Sequence, residues 1–181
     1  MSTPAVSRKD QKYLAWAAAG AGIFSTCAKA SYMAIVVDRY GIVVGTGYNG
    51  APPGQRHCVD GGCPRGLGHE TQGGSYANCV AVHAEANALL RVSRQDCDGA
   101  TLYVTGMPCW ECSKLIVGSG VRRVVFLSGR DPIDLPALLD LHARSGVELI
   151  ELSPDDLPVA ASRRMFTDEA STSDAETRRS P

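Results

Sequence analysis

Two short stretches carry residues that could do chemistry together: His83-Ala84-Glu85 and, further on, Pro108-Cys109-Trp110-Glu111-Cys112. One imidazole and two thiolates suit a borderline-soft tetrahedral ion, and zinc is the metal that such a donor set favours. Three protein ligands leave the fourth position to water, and an open position is the mark of a catalytic rather than a structural site. Glu85 follows the histidine by two residues, a spacing that would turn the two side chains apart within a helix. The spacing therefore predicts His83 at a helix start, with the imidazole reaching the metal and the carboxylate reaching the water. Pro108 predicts a second helix start, with the proline in its first turn and Cys109 and Cys112 sharing a face at i, i+3. Two helix N-termini aimed at the ion would favour thiolate over thiol. Taken alone, C-x-x-C also fits a structural zinc knuckle or a redox pair. A redox pair has no use for His83 or Glu85.

The elements that must position these residues follow from the pattern of the chain. Residues 9–24 are rich in helix formers and predict a helix on a sheet. Arg8, Lys9 and Lys12 ahead of an apolar run also resemble a signal peptide, but an amphipathic first helix is preferred because the cysteines want a reducing, cytoplasmic setting. Tyr32–Val37 and Ile42–Gly47 read as an antiparallel hairpin. Residues 47–80 are glycine-rich and predict a long loop, which holds His57, Cys58, Cys63, His69 and Cys79. Thr101–Thr105, a helix from Cys109, and Val121–Leu127 form a βαβ unit. A helix over 131–143 and a strand over 147–152 complete an α/β chain whose last strands run parallel. One domain is expected over residues 1–166, with a disordered polar tail over 167–181. With 181 residues and a formal net charge of −1, the chain offers no basic footprint for a polynucleotide, and no stretch is long enough to span a membrane. Small-molecule substrates fit better.

H-x-E followed by P-C-x-x-C is the spacing of zinc-dependent deaminases of nucleobases and nucleotides. From about Leu14 to Leu152 the sequence resembles the deoxycytidylate (dCMP) deaminases of the cytidine deaminase superfamily. Beyond the two zinc stretches the resemblance rests on Ser25-Thr26-Cys27, Gly47-Tyr48-Asn49-Gly50-Ala51-Pro52, His57-Cys58, Gly62-Cys63, Thr101-Leu102-Tyr103-Val104-Thr105 and Lys114-Leu115-Ile116. It implies a three-layer α/β/α fold around a five-stranded mixed sheet, a homo-oligomer such as a hexamer, and hydrolysis of dCMP to dUMP and ammonia. It further implies that Glu85 moves protons, that Asn49 binds the sugar, that the Ala84 amide holds the base, that the Pro108 carbonyl receives the leaving amine and that Lys29 meets phosphate.

A second, structural zinc is a candidate on Cys27, Cys58 and Cys79, with His69 or Cys63 completing the set. Buried free thiols are the alternative. The chain departs from the family at Ala30, where a second cation is usual, and at Met33, where a glycine is usual; both touch ligand recognition. Met33 is expected either to intrude on the sugar or phosphate region or to pack in the core. Two other functions stay open on the sequence: deamination of a different nucleotide, nucleoside or amino-heterocycle, and nucleotide binding by a non-catalytic regulator.

Overall fold

The computed structural model describes residues 6–66, 79–129, 132 and 134–158. The candidate ligand His69 and the tail over 167–181 lie outside these residues. Helix α1 (Arg8–Phe24) starts at a capping box in which Ser7 Oγ accepts from the Asp10 N–H and the Asp10 carboxylate accepts from the Ser7 N–H. It is followed by strands β1 (Met33–Val37) and β2 (Val43–Tyr48), a one-turn 3-10 helix at Cys58–Asp60, and helices α2 (Ala84–Leu89) and α3 (Arg94–Cys97). The chain continues through β3 (Thr101–Val104), α4 (Trp110–Ser119), β4 (Arg123–Leu127), α5 (Leu135–Arg144) and β5 (Glu148–Leu152). The order across the sheet is β2-β1-β3-β4-β5. β1 runs antiparallel to both β2 and β3, while β3, β4 and β5 are parallel, as the helical crossovers require.

Every residue of β1 is buried, because this strand lies inside the sheet with layers on both faces. Met33, Ile35 and Val37 join Leu14, Ala17 and Ala21 of α1 in one core. Ala34 and Val36 join Ala84 and Ala88 of α2 and Ile116 of α4 in the other. The apolar run near the N-terminus is thus a working part of the domain, as the helix reading expected. Among the described residues, no helix is long and apolar enough to cross a membrane.

α1 is also locked to the sheet by charge. Asp10 is 1% exposed and receives both Arg123 Nη atoms, at 2.7 and 2.9 Å, and the Tyr103 hydroxyl at 2.9 Å. Burial alone would raise the Asp10 pKa, but the Arg123 guanidinium and the Ser7 and Tyr103 hydrogen bonds hold it well below the usual carboxylate range.

α2 crosses β2 closely enough that glycine is required at Gly47. A side-chain carbon there would lie 2.3 Å from the Ala88 nitrogen and 2.4 Å from the Ala84 oxygen. This contact seats the start of α2 against the sheet.

Candidate metal centre

His83 is the N-cap of α2 in extended backbone, and its carbonyl accepts the Asn87 N–H at 2.9 Å. Cys109 is the N-cap of α4, and Cys112 lies in that helix's first turn. Both helix starts foreseen from the sequence are present. One detail differs: Pro108 precedes the helix instead of occupying its first turn, because Cys109 still has extended φ and ψ. α2 and α4 share a core on one face of the sheet, so the three side chains converge from separate segments.

The donor atoms of His83, Cys109 and Cys112 lie within 4.8 Å of one another. His83 Nδ1 is 3.4 Å from Cys109 Sγ and 3.5 Å from Cys112 Sγ. A tetrahedral zinc with bonds of about 2.3 Å to sulfur and about 2.0 Å to nitrogen needs a nitrogen-to-sulfur edge of about 3.5 Å. The residues therefore fit zinc before any ion is added. The Cys112 thiol and His83 both stabilise the Cys109 thiolate, bringing its pKa down to about 4. The Cys109 sulfur in turn raises the pKa of His83, against the effect of burial.

Glu85 is 6% exposed and sits in the first turn of α2, with its carboxylate against the Cys112 thiol. Burial pushes its pKa up. A buried carboxylate beside a three-ligand site, itself one ligand too many for an open centre, is an arrangement suited to proton transfer.

Asn49 is buried and organises the adjoining loop over 25–32. Its Oδ1 accepts from Ser25 Oγ at 2.6 Å and from the Tyr32 N–H at 2.8 Å, while its Nδ2 donates to the Ala30 carbonyl at 2.8 Å. The Asn49 backbone pairs with the same loop through Tyr32 and Thr26. An Asn carboxamide has two donor hydrogens, so this bonding uses one and is compatible with a ligand on the other. Ala84 is fully buried as the first residue of α2, where its N–H has no partner within the helix, and Pro108 is buried just ahead of α4. Lys29 is exposed in the loop that Asn49 holds.

Met33 takes the packing alternative. Its side chain enters the α1 core, and a side-chain carbon at Gly20 would lie 2.3 Å from its sulfur. The helices that start at His83 and Cys109 pack on the opposite face of the sheet, so the expectation of intrusion on the ligand is corrected: glycine at position 20 makes the room that the thioether fills.

Four further cysteines gather beneath the same loops. Cys58 and Cys63 are in hydrogen-bonding contact, and Cys27 and Cys79 are near enough to act on Cys58 electrostatically. Burial and the neighbouring sulfurs push the Cys58 pKa up to about 12. Burial also works against ionisation of Cys63, but the N–H groups of Val80, Gly66 and Arg65 and the Cys58 thiol bring it down to about 7. Among the described residues, only His83, Cys109 and Cys112 close to the mutual spacing of a ligand set.

Arg65 has no motif to announce it, being one arginine in a glycine-rich stretch. The fold nevertheless brings its charge to bear on His83.

Residues 7–128 match the family described as the cytidine and deoxycytidylate deaminase zinc-binding region. The deoxycytidylate deaminase of Mycobacterium phage D29 is 49% identical over 128 residues, which are 67% of this chain and 97% of the phage protein. That of Schizosaccharomyces pombe is 37% identical over 138 residues, which are 73% of this chain but only 40% of the yeast protein. Among solved structures, the dCMP deaminase of cyanophage S-TIM5 in complex with dCMP and dUMP superposes with a TM-score of 0.61. It is 27% identical, and the match covers 82% of this chain and 99% of the phage chain.

Proposed function

Because this chain belongs to the cytidine and deoxycytidylate deaminase zinc-binding family, we propose that it hydrolyses dCMP to dUMP and ammonia. The observation that carries the reading is the His83, Cys109 and Cys112 cluster at zinc-ligand spacing with the buried Glu85 carboxylate against it. The relatives named deoxycytidylate deaminases favour the nucleotide over a free base. His83, Cys109 and Cys112 would hold the zinc. When bound, the ion supplies Lewis acidity that makes water a competent nucleophile near neutral pH.

The proton transfers fall to Glu85. Its carboxylate accepts a proton from the attacking water and passes it to N3 of the cytosine ring, then takes the proton of the hydroxyl added at C4 and passes it to the departing amine. Water oxygen replaces the amino group at C4, and dUMP and ammonia are the products. The Ala84 N–H would hold the base, the Pro108 carbonyl would receive the amine and the second Asn49 Nδ2 hydrogen would meet the sugar. Confinement of Met33 to the core favours the ordinary nucleotide over an altered substrate.

A second, structural zinc belongs to the same reading, on Cys27, Cys58, Cys63 and Cys79, which would draw together around the ion from a spacing wider than that of a ligand set. Backbone N–H groups aimed at the Cys63 sulfur support a thiolate there, and its contact with Cys58 favours Cys63 over His69 as the completing ligand. The chain would act as a homo-oligomer, for which the exposed Trp16 and Ile23 of α1 offer apolar surface; sedimentation velocity reads the assembly.

Ammonia release from dCMP, CMP, deoxycytidine and cytosine by the zinc-loaded protein tests the activity. Preference for dCMP is the expected result. Turnover of none of the four would sink the proposal.

A further inference from the structure

The loop over 63–66 is anchored at both sides. The Cys63 sulfur accepts backbone N–H groups from Arg65 and Gly66 on its own loop and from Val80, three residues ahead of His83. The segment after Val80 is held in turn, since Val82 and Gly50 exchange N–H···O bonds of 2.8 and 3.2 Å. The Arg65 backbone is thereby fixed beside the chain that enters α2. On its other side Gly66 backs onto Ala28: a side-chain carbon at Gly66 would touch the Ala28 methyl at 3.5 Å. Ala28 precedes Lys29, so Arg65 and Lys29 are brought to one rim by two segments distant in sequence. The 25–32 segment contributes no cation except Lys29. That segment is itself pinned by Asn49, and its Thr26 carbonyl accepts the Val59 N–H at 3.2 Å, which joins the two loops.

We propose that Arg65 is a specificity-determining residue that grips the phosphate of the nucleotide substrate, opposite Lys29. The inference rests on the deaminase reading above and assigns to the cysteine-bound loop a part in choosing the substrate. Its chemistry is that of the side chains. A planar guanidinium gives two parallel hydrogen bonds to phosphate oxygens, whereas an ammonium offers a point charge. A nucleoside lacking phosphate gains from neither.

The test compares steady-state kinetics of wild type, Arg65→Ala and Arg65→Lys on dCMP and on deoxycytidine, using zinc-loaded full chain with its metal content and melting temperature checked. Loss of a charge-assisted phosphate contact should lower the ratio of kcat/KM for dCMP to that for deoxycytidine by about 10- to 100-fold in Arg65→Ala. The loss should sit in the KM for dCMP, and Arg65→Lys should recover part of it. Equal losses on both substrates would make Arg65 a structural residue and overturn the inference, as would an unchanged ratio. If wild type deaminates neither compound, the deaminase reading fails by itself. Calorimetric titration with inorganic phosphate then decides on Arg65. About tenfold weaker binding by Arg65→Ala would sustain the phosphate site, and equal affinity, or no binding to wild type, would overturn it.

Discussion

The metal centre and the loops at its rim are built on different principles. His83, Glu85, Cys109 and Cys112 stand at the starts of two helices whose apolar faces share a core with the sheet, so their positions follow from packing. The rim over 25–32 and 49–66 has no such support. It is held by the Asn49 carboxamide, the Thr26–Val59 bond and the cluster around Cys58 and Cys63. The difference teaches that chemistry and recognition can fail separately in this molecule. A change in the frame should alter turnover of every substrate alike, while a change in the rim should alter their ranking.

Glu85→Gln should break the frame most severely. Removal of the proposed proton carrier is expected to lower kcat by about 10²- to 10⁴-fold on dCMP and deoxycytidine together, while zinc content stays at the wild-type value. Metal analysis beside initial rates checks both halves. Loss of zinc in that variant would make Glu85 a ligand and collapse the distinction between holding the ion and moving protons.

Next in size is Asp10→Asn, which leaves the rim alone and attacks the support of α1. Unpairing Arg123 should cost about 3–5 kcal/mol of stability by chemical denaturation. The pH dependence has a definite sign. A carboxylate whose folded pKa is depressed stabilises the fold above its unfolded value, about 3.9, and loses that contribution as the pH falls below it. Stability measured from pH 6 downward should therefore fall less steeply in Asp10→Asn than in wild type. Parallel curves would show that the Asp10–Arg123 pair does not govern the acid limb.

Cys58→Ser tests the rim directly. The zinc-to-protein ratio is expected to fall from two to one, with stability lowered by about 2–3 kcal/mol and the catalytic ion retained. A ratio near one in wild type would remove the second metal and leave buried thiols. Asn49→Ala, which frees the loop that carries Lys29, should raise the KM for dCMP by about tenfold with a smaller change in kcat. A fall in kcat alone would place Asn49 with the frame. The smallest effect is expected of Met33→Leu, a near volume-conserving change in the α1 core. Its cost is below about 1.5 kcal/mol, and the ranking of dCMP over deoxycytidine should be unaltered; a changed ranking would return Met33 to the ligand's surroundings.

The elements that carry the frame were legible because their signals are local. β-branched runs gave the five strands to within a residue or two, and helix formers gave α1. α3 was missed, since one turn capped by Ser93 through the Asp96 N–H has no periodicity to read. Pro108 was placed one position too far into a helix for a similar reason: proline tolerates both the first turn and the residue ahead of an N-cap, and only the observed φ and ψ distinguish them.

The sequence by itself determined the zinc-ligand pattern, because ligand type and spacing are covalent facts that survive any packing. It also determined the order of strands and helices, through propensity and period. Only the tertiary structure decided where Met33 points, because the same residue is compatible with a ligand pocket or a core until Gly20 is seen to face it. The same holds for the rim. That Cys63 meets Cys58, and that Arg65 arrives beside Ala28 and the approach to His83, depends on hydrogen bonds between segments far apart in the chain. Those bonds exist once loops without a periodic pattern have been folded over a sheet that fixes their ends.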